Sequence, residues 1–233
     1  MKRVIAAAIP LLASLVFVLL LGANLWHIAN SQPGVDLPGI IAGKMGESGV
    51  AHPVTAVLLN FRSYDTLLEI AVLVIAGITG ISMARTASLE DPELRTSDSL
   101  LYALQRWFIP LMLVLAGYLL WAGADRPGGA FQAGAVLAGC GVLMRLGGIP
   151  LGFLRPGVLL RFGLGLGFAV FLLVAVLSAI AGEAFLAYPP GMAKPLILLI
   201  EIVLTFSIAM VLLALFVSAP VNDSDNTGEE ESR

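Results

Sequence analysis

The feature that most constrains this chain is a succession of long apolar runs with almost no charge inside them: Val4 to Ala23, Val54 to Ala84, Trp107 to Trp121, Ala130 to Met144, Arg161 to Ala184 and Pro195 to Ser218. A run of about 20 apolar residues matches a hydrocarbon core of about 30 Å when it is helical. Composition agrees, because 58% of the residues are hydrophobic and only 12% charged, with a mean hydropathy of +0.95. A soluble domain carries about twice that share of charge. The expected fold is therefore all-α, a polytopic membrane protein with about six transmembrane helices. The two shortest runs must extend into their flanks or thin the bilayer.

The first run follows Met1, Lys2 and Arg3. It exceeds the apolar core of a signal peptide, about 7–15 residues, and Leu21-Gly22-Ala23-Asn24-Leu25 offers no small-x-small cleavage site, so a retained helix is expected. A loop from His27 to Pro53 follows. The second run would reach about 46 Å as one helix, too long for the bilayer, so it must tilt, protrude or break. Its polar cluster Asn60-Phe61-Arg62-Ser63-Tyr64-Asp65 is the expected break. Hydrophilic residues from Arg85 to Ser99 divide a two-helix module, 1–88, from a four-helix module, 96–220. The acidic stretch 221–233 lacks helical periodicity and reads as disordered.

With six spans, Lys2, Arg3, Arg85, Arg95, Arg106, Arg145, Arg155, Arg161 and Arg233 fall on one side, against Lys44, Arg62, Arg126 and Lys194 on the other. The positive-inside rule then places both termini in the cytoplasm, in the cell (inner) membrane. The net charge of −3 and the absence of a basic face exclude nucleic acid as a partner. Cys140 is the only cysteine, which excludes an intramolecular disulfide or a cysteine metal cluster, and it reads as a small buried hydrophobe. His27 and His52 would need further ligands to hold a metal. No metal or cofactor is expected, and no nucleophile with its base or phosphate loop points to an enzyme.

Acids inside spans are expensive and so are functional candidates. Arg62, Asp65 and Glu69 are spaced to share one helix face. They are candidates for an ion or proton pathway, or else for an ion pair at the membrane edge. Glu201, about 9 Å into the last span, is a second pathway candidate, and Glu183 near the end of the fifth is a weaker one. Pro127-Gly128-Gly129 permits a tight turn into the fourth span. Gln132 can bond across helices or line a wet path, and Gly134 with Ala138 permits close helix approach. Gly163-Leu164-Gly165-Leu166-Gly167 lacks the preceding strand of a nucleotide loop, so Gly163 and Gly167 read as a packing face.

Two of these segments resemble a known family. Thr55 to Glu69, TAVLLNFRSYDTLLE, resembles the segment N-x-I-L-V-D-F-R-G-F-D-T-L-G-E near the C-terminus of the large A-type component of Mrp-type multisubunit sodium/proton antiporters. Pro127 to Gly134, PGGAFQAG, resembles the P-G-G-G-F-Q-G-G signature of their B-type component. Their order resembles the C-terminal part of the A-type component fused to the B-type one. The resemblance implies a place among other membrane subunits of an antiporter-like complex related to respiratory complex I and membrane-bound hydrogenases. It implies H+ as the ion moved, with Na+ as the second candidate, and it puts the family's acidic positions on Asp65 and Glu69. Asn60 stands where the family has an Asp, Ser63 and Leu68 where it has glycines, and Ala130 and Ala133 replace glycines of the second motif. Losing the first acid weakens a sodium site, because a hard cation prefers several oxygen ligands. The rival expectation is a structural subunit that transports nothing and scaffolds its neighbours through small-residue helix faces.

Overall fold

In the computed structural model the described residues are 2–30, 36–83, 99–154, 157–181, 184–189 and 191–219. The hydrophilic divide between the expected modules, Glu183 and the acidic stretch 221–233 lie outside the described residues. Every regular element among the described residues is helical, and each of the six apolar runs is largely helix. Four helices are long and apolar enough to cross a membrane: α4 (Ser63–Met83), α5 (Ser99–Ala122), α7 (Val158–Ile180) and α8 (Ala193–Ser218). Shorter apolar stretches occupy Ser14–Asn30 of α1 (Lys2–Asn30) and α6 (Ala130–Leu146). The chain is an all-α, multi-pass membrane protein.

The chain divides into two compact units, Met1–Ile40 and Ile41–Arg233. In the first, α1 runs seven residues beyond the expected end of its apolar run. Leu25, Trp26 and Ile28 continue the apolar pattern, so His27 sits in the last helical turn and not in a loop. A short helix, α2 (Leu37–Lys44), runs across the division.

In the second unit α8 is the hub, packed against α4, α6 and α7, while α5 packs on α6. Burial decides which helix is central: in its most apolar stretch 56% of α8 is buried, against 11% of α5. Lipid tails are as apolar as leucine, so helices in a bilayer associate through close packing and polar contacts more than through hydrophobic drive. The sequence supplies both means. A β-carbon on Gly134 of α6 would fall 2.9 Å from Ile208, and one on Gly141 would fall 2.7 Å from Leu213. On α7, Gly163 lies against Met210 and Gly167 against Ser207. The Ser207 hydroxyl donates to the Leu164 carbonyl at 2.7 Å, tying α8 to α7.

The second apolar run is broken at Arg62. Before it lie a short helix, α3 (Pro53–Ala56), and a π-helical turn, Val57–Phe61; after it α4 begins. Proline at the first turn of α3 gives up no hydrogen bond, since that N–H has no helical partner in any case. Arg62 adopts φ −132°, ψ 33° and so stops the helix. The Thr66 hydroxyl donates to the Leu58 carbonyl, eight residues earlier. In a straight helix these groups would be about 12 Å apart, so 53–61 folds back beside the first turn of α4. Asn60 Nδ2 donates to the Ser48 carbonyl at 2.8 Å, and the Ala51 and His52 N–H groups both reach the Ala124 carbonyl at 3.0 Å, pinning this segment to the loop between α5 and α6.

Candidate functional site

The folded-back segment, the first two turns of α4, the start of α6 and the middle of α8 enclose a cavity of about 270 Å³. Its polar lining includes Thr55, Thr66, Glu69, Gln132 and Glu201, set among apolar side chains such as Val54, Leu58, Leu59 and Leu204. Glu69 and Glu201, 132 residues apart in sequence, thus face one space. Glu201 lies about 12 Å along α8 from Ala193 and Glu69 about 9 Å along α4 from Ser63.

Glu201 is 3% exposed. Its carboxylate accepts a hydrogen bond from the Ala130 N–H, the first residue of α6. A carboxylate there also meets the positive end of the helix dipole and its unpaired N–H groups. The turn that delivers the helix is built around this acid. Gly129 adopts φ 109°, ψ −174°, a conformation open to glycine and strained for other residues. A β-carbon on it would fall 2.8 Å from Glu201 Oε1. One on Gly128 would collide with the Leu119 carbonyl, and one on Gly123 would come within 3.1 Å of Glu201 Oε1. Gly129 N–H donates to the Leu119 carbonyl at 2.9 Å, closing the turn. The other oxygen, Glu201 Oε2, is buried without a hydrogen-bond partner. Buried carboxylate oxygens are normally satisfied, and Glu201 belongs to the cavity lining.

Glu69 is exposed on the surface of the chain and forms part of the cavity wall. Its neighbours in sequence do different work. Arg62 pairs with Asp65 across three residues, with side chains 65% and 47% exposed, and neither lines the cavity. The break at Arg62 leaves Asp65 and Glu69 four residues apart on α4, and Arg62 meets Asp65 in the exposed ion pair that is the alternative expectation for these residues. Asn60, at the position where the resembling segment carries an acid, is also turned away, bound to Ser48. Lys194 lies 3.5 Å from Asp125 and does not reach Glu201. Gly134, Gly163 and Gly167 are all consumed in packing on α8. His52 faces Thr55 at 3.5 Å, and no cluster of three metal-ligating side chains occurs among the described residues.

Two features escaped the sequence reading. Thr55 and Thr66 line the cavity while donating to the Gly123 and Leu58 carbonyls. The dependence of the Pro-Gly-Gly turn on Glu201 was also missed. Its only trace in the sequence is an unusual density of glycine ahead of a helix.

Residues 100–221 match the family described as "Domain related to MnhB subunit of Na+/H+ antiporter". A curated relative from Rhizobium meliloti (strain 1021), a probable K(+)/H(+) antiporter A/B component, is 31% identical over 147 aligned positions, covering 50% of this chain. The chain spans only 15% of that relative's length. Among solved structures, a chain of the membrane-bound sulfane sulfur reductase, an archaeal respiratory membrane complex, superposes with a TM-score of 0.67 at 23% identity, covering 93% of this chain and 97% of that one. A chain of the Mrp complex from Dietzia sp. DQ12-45-1b gives a TM-score of 0.68 at 20% identity, covering 93% of this chain and 26% of that one. At those identities the two structures speak for the fold.

Proposed function

This chain belongs to the family of domains related to the MnhB subunit of Na+/H+ antiporter, and on that premise we propose that it is a membrane subunit of a multisubunit monovalent cation/proton antiporter or a related ion-translocating complex. In this reading residues 1–88 correspond to the C-terminal part of an A-type component and 96–220 to a B-type component, both termini are cytoplasmic, and the partners are larger membrane subunits. The chain acts as a transporter component and not as an enzyme. It moves H+, with Na+ or K+ as the exchanged ion.

The observation that carries the reading is the shared cavity of Glu69 and Glu201. One acid opens to the chain surface and the other is buried with an oxygen unsatisfied, so a proton or small cation has an outer and an inner carboxylate between which to pass. Gln132, Thr55 and Thr66 supply polar groups between them. An intramembrane pair of acids in a partly polar cavity is the usual furniture of proton relays. Two carboxylates alone provide little of the oxygen cage a desolvated metal ion requires, which favours the proton as the species handled here.

The scaffold alternative draws its partner contacts from small-residue helix faces. Gly134, Gly163 and Gly167 already press against α8 of the same chain, so these faces are spent internally. The test is cation/proton exchange in inverted membrane vesicles, with assembly followed on native gels. Glu201→Gln and Glu69→Gln should each leave the complex assembled and lower exchange at least about tenfold, as removal of a positioned acid–base group does. Wild-type exchange in both variants rejects the relay and leaves the scaffold.

A further inference from the structure

The cavity is not closed off by the unit itself. Helices α4 and α6 both lie on α8, and the space between them runs down the surface of the unit. The folded-back segment 53–61 and the Pro-Gly-Gly turn border it. Glu69 and Gln132 stand at its open edge, both exposed. Alongside Glu69, α4 presents Leu68, Val72 and Ile75, 47%, 65% and 63% exposed, at the spacing of a single helix face. Lipid tails offer no partner to an acid or an amide, so an edge of this kind on a membrane-spanning helix calls for a protein cover. An apolar helix face continuous with an acidic groove is the shape of a helix-docking surface. Among the described residues no basic side chain lines the cavity, and the nearby cations are engaged elsewhere, Arg62 with Asp65 and Lys194 with Asp125.

We propose that the groove between α4 and α6 seats a transmembrane helix from a partner protein of the complex, and that this helix carries a basic side chain at the depth of Glu69. The proposal rests on the functional reading above and adds to it which face is covered and by what chemistry. The partner helix completes the cavity wall, excludes lipid from Glu69 and sets a cation against the outer carboxylate.

Two measurements on the assembled complex in its own membrane test this. A benzoylphenylalanine photoprobe at Val72 should crosslink to a transmembrane segment of another subunit. Mapped by mass spectrometry, the adduct should lie within one helical turn of a Lys, Arg or His. Adducts to α1 of the same chain, to a second copy, to lipid alone, or to a helix without a basic residue overturn the proposal. Independently, Glu69→Lys should reduce the co-purifying partner more than about tenfold through like-charge repulsion, and replacing the mapped basic residue by Glu should restore it. A Glu69→Lys complex that stays intact overturns it as well. The two ideas fail separately: normal exchange in Glu69→Gln sinks the transport role but leaves the crosslink and charge swap untouched.

Discussion

Replacing Gly129 by Ala tests how tightly the turn before α6 is built around Glu201. The substitution forces alanine into φ 109°, ψ −174°, a region worth about 1–3 kcal/mol of strain for a residue with a β-carbon. It also drives that carbon to 2.8 Å from Glu201 Oε1, so the carboxylate must leave the first N–H of α6. A hydrogen bond to a charged group contributes about 1.5–3 kcal/mol. Allowing for partial relaxation, the two effects sum to about 3 kcal/mol, close to a hundredfold in the folding equilibrium. The readout is unfolding of the purified chain in mixed micelles of rising dodecyl sulfate fraction, followed by circular dichroism. A double-mutant cycle separates the two contributions. In a Glu201→Ala background there is no carboxylate to displace, so Gly129→Ala should cost about 1–2 kcal/mol, the backbone share alone. Equal losses in both backgrounds would refute the claim that Gly129 exists to admit the carboxylate.

Further expectations follow from the same geometry. Gly167→Leu must push Ser207 and Leu204 aside, since a β-carbon there falls 2.7 Å from Ser207 Cβ, and should destabilise by about 3 kcal/mol. Gly165→Leu, two residues away with nothing within 4 Å, should change stability by less than about 0.5 kcal/mol in the same unfolding assay. Tyr188, in the loop before α8, has a buried hydroxyl without a partner, and burial pushes its phenol above the ordinary value. Tyr188→Phe should therefore leave stability unchanged or raise it by about 1 kcal/mol. Because the folded phenol resists ionisation, the wild type should hold its stability below about pH 10 and lose some as pH climbs further, a decline smaller in Tyr188→Phe. Arg62→Ala removes only an exposed ion pair and should shift the unfolding midpoint by no more than about 1 kcal/mol.

The helices were legible because their solvent is lipid: an uninterrupted apolar run in this chain has few other ways to satisfy its backbone. The break at Arg62 is legible for the complementary reason, since five polar residues within 60–65 interrupt a run too long for the bilayer. Glu69 and Glu201 stood out singly as acids amid apolar neighbours. Their common cavity did not, because it depends on which helices lie against α8, and the glycines that admit that contact are scattered over α4, α6 and α7. For the trio Arg62, Asp65 and Glu69 the spacing yields the Arg62–Asp65 ion pair, while Glu69 alone lines the cavity, a division that depends on what packs beside α4. Thr66 carries no signal in the sequence beyond that of a threonine in a helix, although its hydroxyl ties α4 back to Leu58.

The position of α8 has a consequence for the order of assembly. It follows α4, α6 and α7 along the chain, so during synthesis those three enter the bilayer before the helix they all lean on. The α5–α6 and α4–α7 contacts involve no part of α8. Until α8 arrives, the glycines of α6 and α7 lack the side chains they pack on and the first turn of α6 has no carboxylate to meet its amide. The inner acid therefore arrives with the last of these helices, and Glu69 and Glu201 share no cavity before α8 is in place.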